Sequence, residues 1–295
     1  MRCFVPLLIF VLVTTLPSIA REQHSFRIDD AFVQIQIDGR GSIPTKNLLD
    51  WTETTAKTIS SYFGGFPVRN LDLYISFGPG NNLHGRTYGS PRPAIYLQIG
   101  NRVSARKMRE HWILAHEMAH LAFPNVSGHR WLEEGMATYL EPIIRARAGL
   151  LDKDKYWSDL AWGLPQGQAR SQDRGLAYDS SWGRTYWGGA LFWFIVDLDL
   201  RVRSGNRISV QRVFRGILSR GGNIRSHWSL SDIIRTGDRS TGYDTMNSQA
   251  QDFVYSPGRV DLKYLWQQLG VDVRSSRTRY FPGQWKSIRR DMSNG

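Results

Sequence analysis

The sequence predicts an α+β fold, in which a small mixed N-terminal sheet precedes a helical C-terminal lobe. Strand-like alternation of apolar residues lies in about the first hundred residues, helical spacing dominates afterwards, and no repeat or low-complexity linker divides the chain. A chain of 295 residues is long enough to bury a core without covalent cross-links. We therefore expect one unit, with an α/β lobe over residues 21–103 and a helical lobe over residues 104–295.

The N-terminal 20 residues have the composition of a secretory signal. One arginine precedes an apolar run that begins at Cys3, and the small residues Ser18 and Ala20 resemble a cleavage site. The run is shorter than the roughly 20 residues that cross a bilayer, although a retained membrane anchor is the alternative. Residues 1–20 are thus predicted to be a signal peptide. The mature chain is predicted to be secreted or periplasmic, without a stable membrane span.

Composition limits the kinds of site and partner that the mature chain can have. The single cysteine, Cys3, lies in the predicted signal, so a metal site would be built from histidine and carboxylate side chains. The 38 basic residues outnumber the 26 acidic ones, for a net charge of +12, but they are scattered and match no nucleic-acid-binding module. We expect no nucleic-acid partner. Acidic or envelope-associated peptides and proteins fit the charge better.

The predicted N-terminal lobe alternates strands with one helix. AFVQIQIDG alternates apolar and polar residues, as a half-buried strand does, and helical spacing follows from Leu48 to Phe63, before Gly64. NLDLYISFGPG and AIYLQIG predict two further strands. GNNLHGRTYGSPRP, which lies between them, is rich in Gly, Asn and Pro and is predicted to be a loop.

Helical patterns dominate from Ser104 onwards. One long helix is predicted from an N-cap at Ser104 to Phe123, because Pro124 prevents its simple continuation. A second helix begins near Trp131, and Pro142 either kinks or interrupts it. The apolar segment YWGGALFWFIVDLDLRV is ambiguous between helix and strand. The remaining segments predict short amphipathic helices joined by turns.

The segment HEMAH has the residue types and spacing of a catalytic metal site. Residues four apart lie on one face of a helix, so His116 and His120 can bind the same ion. Glu117 lies beside the first histidine, where a carboxylate can take a proton from a metal-bound water. The alternative is a buried helix whose histidines are satisfied by hydrogen bonds within the core.

A third protein ligand is expected downstream, because a catalytic zinc ion usually has three. A metzincin-type continuation fails, since Phe123 and Val126 stand where its glycine and histidine would be. The segment WLEEGMATYLE instead supplies Glu133 and Glu134 on a second predicted helix. Both carboxylates are candidates for the third ligand.

Together, HEMAH and WLEEGMATYLE resemble the gluzincin metallopeptidases, particularly the aminopeptidase N-like and glycyl aminopeptidase-like families, whose second motif reads W-L-N-E-G-F-A-x-Y-x-E. The resemblance implies a thermolysin-like domain with one Zn²⁺ per chain on His116, His120 and Glu134. Glu133 stands in the position of the family's asparagine. Glu141 matches the later glutamate of the motif and is expected to hold a ligand histidine through its other ring nitrogen. A solvated position at the helix end is the alternative for Glu141.

The segment RTYWGGALFWF resembles the Y-x-K-G-A segment of aminopeptidase N-like enzymes. The tyrosine of that segment donates to the oxyanion of the tetrahedral intermediate, and this role maps onto Tyr186. Gly188 stands where the family has lysine, so Tyr178, or a purely structural role for Tyr186, is the alternative.

The strand that binds substrate in this family departs from its usual sequence. The family's G-x-M-E-N motif, whose glutamate holds a free amino terminus, has no counterpart here, because PAIYLQIG contains no acidic residue. In the family this strand is an exposed edge over the active-site helix, to which an extended peptide adds. We expect the same role for four residues: Ile95, Tyr96, Leu97 and Gln98.

The resemblance implies an exported zinc metallopeptidase that hydrolyses peptide bonds with a zinc-bound water activated by Glu117. It does not distinguish an endopeptidase from an aminopeptidase. One alternative is a catalytically inactive, zinc-stabilised binding or scaffold protein of the cell envelope, and another is a basic polyanion-binding module. Glu117 argues against the scaffold, because a purely structural zinc site has no need of a general base.

Overall fold

The computed structural model describes residues 21–274 and 277–294, so the predicted signal peptide lies outside the described residues. Within these ranges the N-terminal part of the chain forms a five-stranded sheet. Its strands are β1 (Arg21–Ile28), β2 (Ala31–Asp38), β3 (Asn70–Gly78), β4 (Leu83–Tyr88) and β5 (Ala94–Gly100).

The sheet is mixed, with the order β1-β2-β3-β5-β4. Strands β2, β3 and β5 are parallel, whereas β1 and β4 are antiparallel to their neighbours. Along β2 the predicted alternation is confirmed, because Val33, Ile35 and Ile37 are buried between more exposed residues. Strand β1, which pairs along the whole of β2, was not expected from the sequence.

The edge of the sheet differs from the prediction. The segment predicted to be a loop contains β4, which pairs with β5 and leaves β5 between two strands. The backbone groups of β5 therefore form ladders on both sides. The prediction of an exposed edge was wrong for the four residues of β5 to which it was assigned, Ile95, Tyr96, Leu97 and Gln98.

Helices make up most of the chain after the sheet. They are α1 (Thr45–Phe63), α2 (Ala105–Arg109), α3 (Ile113–His120), α4 (Arg130–Arg147), α5 (Lys153–Gly163), α6 (Gly189–Arg203), α7 (Val210–Ser219), α8 (Leu230–Thr241), α9 (Thr245–Phe253), α10 (Leu262–Leu269) and α11 (Lys286–Asn294). A 3₁₀ turn covers Leu164–Gly167, and a π-helix covers Gly183–Gly188. A hairpin of β6 (Val271–Arg274) and β7 (Arg277–Tyr280) replaces part of the predicted helical tail. None of the described helices is both long and apolar enough to cross a membrane.

The predicted long helix after Ser104 is two helices. Ser104 does cap the first one, since its Oγ accepts a hydrogen bond of 3.2 Å from the backbone N–H of Lys107. Before α3, the backbone N–H of Ile113 donates to Nδ1 of His111 at 3.3 Å. This local side-chain bond takes a donor that a continuous helix would use, so the chain turns between α2 and α3.

The segments around α4 and α6 resolve two ambiguities. Pro142 lies inside α4 without ending it, so one helix carries the whole second motif and continues to Arg147. The apolar segment of uncertain type forms α6, whose residues are buried around most of its circumference. Helix α4 packs against both α3 and α6, which places the second motif beside the first.

Candidate metal centre

Helices α3 and α4 bring three metal-binding side chains together. Nε2 of His116 lies 3.2 Å from Nε2 of His120, and Oε2 of Glu134 lies 3.3 and 3.4 Å from these two nitrogens. A tetrahedral site with bonds of about 2.0–2.1 Å places its ligand atoms about 3.3 Å apart. The three ligand atoms therefore have the chemistry and the spacing that zinc requires.

The electrostatics of the cluster favour the forms that bind a metal. Burial lowers the pKa of His116, which keeps its imidazole neutral. Burial also acts to lower the pKa of His120, but the carboxylate of Glu134 outweighs it and the pKa is raised. Although burial opposes ionisation of Glu134, hydrogen bonds from both histidines hold its pKa well below the usual range. Glu134 is thus an anion, as a metal ligand must be.

The two adjacent glutamates of the second motif have different partners. Oε1 of Glu133 accepts a hydrogen bond of 2.7 Å from the backbone N–H of Val126, so this side chain closes the turn between α3 and α4. Glu134 directs Oε2 to the histidines, and its Oε1 accepts bonds of 3.1 and 3.0 Å from Nε and Nη2 of Arg130. The geometry selects Glu134, not Glu133, as the third candidate ligand.

Arg130 is a site residue that the sequence reasoning missed. Its guanidinium holds the outer oxygen of Glu134, and Nη2 also lies 3.5 Å from the hydroxyl of Tyr186. Arg130 and Glu134 are four residues apart on α4, and this common spacing for ion pairs could have revealed the contact.

The side chain of Glu117 extends from α3 towards the edge strand β4. Its carboxylate Oε2 is 2.6 Å from Oγ1 of Thr87, and its backbone oxygen is 2.9 Å from the same hydroxyl, which can donate to either. The close approach requires Gly85, where a Cβ atom would lie only 2.7 Å from Cγ of Glu117. Thr87 was missed because its segment was predicted to be a loop.

The π-helix brings Tyr186 to the cluster. The ring of Tyr186 lies 6.3 Å from the ring of His116, and its hydroxyl is close to Arg130. Segments of π-helix occur frequently at functional sites. Tyr178 is 56% exposed and packs near Tyr255 instead, so it is Tyr186 that lies beside the candidate ligands.

Glu141 does not occupy the predicted position. It accepts a hydrogen bond of 2.8 Å from Nη1 of Arg145, and no hydrogen bond joins it to either histidine among the described residues. The expected contact with a ligand histidine is therefore not formed. Glu141 is also 9% exposed, so the solvated alternative is wrong as well. Burial raises the pKa of its carboxyl to about 7, and Arg145 only partly offsets this effect.

Solved structures share this fold. An aminopeptidase N family protein from Idiomarina loihiensis superposes with a TM-score of 0.66 at 19% identity, over 86% of this chain and 50% of that protein. An M1 zinc metallopeptidase from Deinococcus radiodurans gives 0.52 at 16% identity, over 82% and 52%. A mutant of that enzyme bound to a Tyr-Ser-Ala substrate gives 0.53 at 16% identity, with the same coverage. The chain thus spans about half the length of these proteins.

These structures confirm, at the level of the fold, the relation to aminopeptidase N-like metallopeptidases that the two motifs predicted. The fold is a mixed α/β arrangement similar to M1 peptidase domains, and the thermolysin-like details stay a prediction, as do the lobe boundaries. No protein-family model and no curated protein matches this chain.

Proposed function

We propose that this protein is a zinc-dependent peptidase. The observation that carries the proposal is the convergence of His116, His120 and Glu134 at tetrahedral spacing, with Glu117 buried beside them. The fold shared with M1 zinc metallopeptidases supports the same function. An inactive zinc scaffold is not favoured, because it would not need a carboxylate in the position of Glu117.

Glu117 is assigned the proton transfers of the reaction. Zinc, when bound, supplies a Lewis acid that polarises the substrate carbonyl and lowers the pKa of the attacking water. Glu117 takes the proton of that water and passes it to the leaving amine. Thr87 orients the carboxylate for both transfers by donating to Oε2.

Tyr186 and Arg130 are assigned to the charge that develops on the substrate. The hydroxyl of Tyr186 is positioned to donate to the carbonyl oxygen as it becomes negative. Arg130 donates to the outer oxygen of Glu134 at 3.0 Å and lies 3.5 Å from that hydroxyl, so it links the third candidate ligand to the tyrosine.

Strand β4, not β5, is assigned to the peptide backbone. Within the described residues β4 pairs only with β5, so its outer edge can accept an extended peptide by main-chain hydrogen bonds. The sequence of β4, LHGRTY, has no carboxylate to hold a free amino terminus. Peptides with free and with blocked termini are therefore both tested.

Export stays a proposal based on residues 1–20.

The decisive experiment compares the zinc-loaded protein with its Glu117→Gln variant. A mixture of free and N-acetylated peptides is incubated with each, and the products are identified by mass spectrometry. We expect the variant to keep its zinc and to lose about 10²- to 10⁴-fold in hydrolysis rate, because only the general base is removed. Glu53→Gln, an exposed change on α1, is the matched control. Fully zinc-loaded protein that cleaves no peptide, or undiminished cleavage by Glu117→Gln, would contradict the proposal.

A further inference from the structure

Arg184 is a buried cation in the π-helix that carries Tyr186. Only 3% of Arg184 is exposed, whereas Tyr186, two residues later, is half-buried and its ring lies 6.3 Å from the ring of His116. Helical residues two apart do not share a face, so the two side chains leave the π-helix in different directions. Burying a guanidinium is costly unless its charge is paired and its N–H groups have acceptors. The position of Arg184 therefore depends on its partners.

The partners of Arg184 lie in three segments outside the π-helix. Its Nε is 2.8 Å from Oδ2 of Asp173, whose side chain is 1% exposed, and its Nη2 donates to Oδ1 of the same residue at 3.3 Å. Nη1 donates to the backbone oxygen of Gly167 in the 3₁₀ turn, and Nη2 donates to that of Pro257, after α9, at 3.4 Å. Arg184 thus joins the π-helix to the 3₁₀ turn, to the loop that follows this turn and to the segment after α9.

The carboxylate of Asp173 is itself fixed within its loop. Its Oδ1 also accepts a hydrogen bond of 2.7 Å from the backbone N–H of Gly175. The next residue of the loop, Leu176, donates its backbone N–H to the backbone oxygen of Phe253, at the end of α9, at 2.8 Å. The counter-charge of Arg184 therefore belongs to a loop that is hydrogen-bonded to the rest of the helical part of the chain.

The π-helix packs against both the 3₁₀ turn and α4. A Cβ atom at Gly167 would overlap the backbone of Trp187, so the turn touches the π-helix directly. A Cβ atom at Gly189, directly after the π-helix, would overlap the backbone oxygen of Trp131 on α4. Helix α4 also carries the third candidate ligand. The position of the π-helix between the turn and α4 therefore sets how far Tyr186 lies from the metal centre.

We propose that Arg184 is a positioning residue, which together with Asp173 holds the π-helix where the hydroxyl of Tyr186 can reach the substrate carbonyl. This inference rests on the proposed function, in which Tyr186 donates to the developing negative charge. Such a donor lowers the barrier only if it is already placed at hydrogen-bond distance, and a displacement of about 1 Å can cost about 10²-fold in rate. Loss of either partner leaves the other buried charge uncompensated, so the segment would have to rearrange.

The kinetic experiment asks whether Arg184 acts through Tyr186. Peptide hydrolysis by the zinc-loaded protein is measured for Arg184→Met, Asp173→Asn and Arg184→Lys, each alone and combined with Tyr186→Phe. We expect the first two changes alone to lower kcat about 10- to 100-fold with KM and zinc content unchanged, because the tyrosine acts only in the transition state. Combined with Tyr186→Phe they should cost less than about 2-fold more, since no hydroxyl is left to misplace. Arg184→Lys keeps the charge but not all the hydrogen bonds, so it should restore part of the lost rate.

Asp197→Asn is the matched control, because it makes the same change as Asp173→Asn in a second buried ion pair. In the described part of the chain Asp197 pairs with Arg201 and bonds to Tyr139 and Val210, none of which lies in the π-helix. This control should lower stability but leave the kcat of the folded protein unchanged. A purely structural role for Arg184 would give the same result as the control.

A measurement on the tyrosine itself needs neither activity nor zinc. Fluorotyrosine is incorporated in place of Tyr186, and its fluorine NMR resonance is recorded without further change and with Asp173→Asn, Arg184→Lys or Asp197→Asn. We expect one narrow resonance that Asp197→Asn leaves in place and that the other two changes shift or broaden, because the ring moves relative to His116. Arg184→Lys is the mildest change and keeps the test decisive if Arg184→Met does not fold.

The outcomes separate this inference from the proposed function. A fluorine resonance that neither Asp173→Asn nor Arg184→Lys alters would overturn the positioning role, and so would rate losses that are equal with and without the hydroxyl of Tyr186. Peptide hydrolysis by the wild type would leave the peptidase function intact in both cases. If the wild type cleaves no peptide, the peptidase function fails, and the fluorine spectra alone decide whether Arg184 positions Tyr186.

Discussion

Helix α4 contributes to two buried polar clusters, and only one of them is complete. On one side, the hydroxyl of Tyr139 donates to Oδ2 of Asp197 on α6 at 2.7 Å. Oδ1 of Asp197 accepts further bonds of 3.1 Å from Nε of Arg201 and 2.8 Å from the backbone N–H of Val210. Both carboxylate oxygens of Asp197 therefore have protein partners, and the cluster needs no ligand.

The cluster on the other side of α4 is incomplete. Two histidine nitrogens and one carboxylate oxygen converge within 4.8 Å of one another, as the ligands of a bound ion do. The comparison of the Asp197 cluster with the candidate metal centre distinguishes structural from functional polar residues on one helix. A satisfied buried network stabilises the fold, whereas an unsatisfied one beside a cavity is available for a metal or a substrate.

The largest effect on stability is expected at the complete cluster. Asp197→Asn leaves the buried guanidinium of Arg201 without its counter-charge. We expect the free energy of unfolding to fall by about 3–5 kcal/mol, measured by urea denaturation. Asp50→Asn, which breaks only an exposed pair with Lys46, should cost less than about 1 kcal/mol. Similar losses in the two variants would show that the Asp197 network does not stabilise the fold.

An effect on rate without an effect on stability is expected at the incomplete cluster. Tyr186→Phe should lower kcat/KM about 10²- to 10³-fold, because one donor to the developing negative charge is lost. Zinc content and urea midpoint should stay at the wild-type values. Tyr178→Phe is the control, since that hydroxyl is exposed and lies away from the ligands. Equal activity of Tyr186→Phe and wild type would remove the tyrosine from the proposed mechanism.

A smaller, pH-dependent effect is expected at Glu141. Burial raises the pKa of this carboxyl to about 7 in the folded protein, above its usual value of 4.5. The unfolded chain releases this proton near pH 4.5, whereas the folded protein keeps it until about pH 7. The carboxyl therefore destabilises the fold increasingly as the pH rises between these two values. The free energy of unfolding of Glu141→Gln, taken relative to that of wild type, should therefore rise by about 2 kcal/mol from pH 5 to pH 8.

The matched control for this pH dependence is Glu53→Gln, because Glu53 lies on the exposed face of α1. Its stability difference from wild type over the same pH range is the baseline with which Glu141→Gln is compared. A difference for Glu141→Gln that follows this baseline would show that Glu141 does not titrate with a raised pKa in the folded protein.

The site was predictable from the sequence where its geometry is local. His116 and His120 share a face because an α-helix repeats every 3.6 residues, and the adjacent glutamates required only a second helix packed against the first. The choice of Glu134 over Glu133 came from the family motif, and the structure adds the reason, which is that Glu133 binds the backbone of Val126.

Features of the site that depend on segments distant in the chain were not predicted from the sequence. Strand β4 contains a glycine and only short runs of strand-forming residues, and it is stabilised by pairing with β5 and by contact with α3. Thr87 was missed together with this strand. Glu141 satisfied the helical spacing for a contact near the histidines, but Arg145, one turn later, competes for its carboxylate.

The most direct test of a three-ligand metal centre is the zinc content of residues 21–295, measured by mass spectrometry beside Glu134→Ala and Glu133→Ala. The geometry predicts about one zinc per chain in the wild type, most of it lost in Glu134→Ala and retained in Glu133→Ala. Folded wild-type chains that bind no zinc under any metal supply would contradict the metal centre, and so would equal zinc in the wild type and Glu134→Ala.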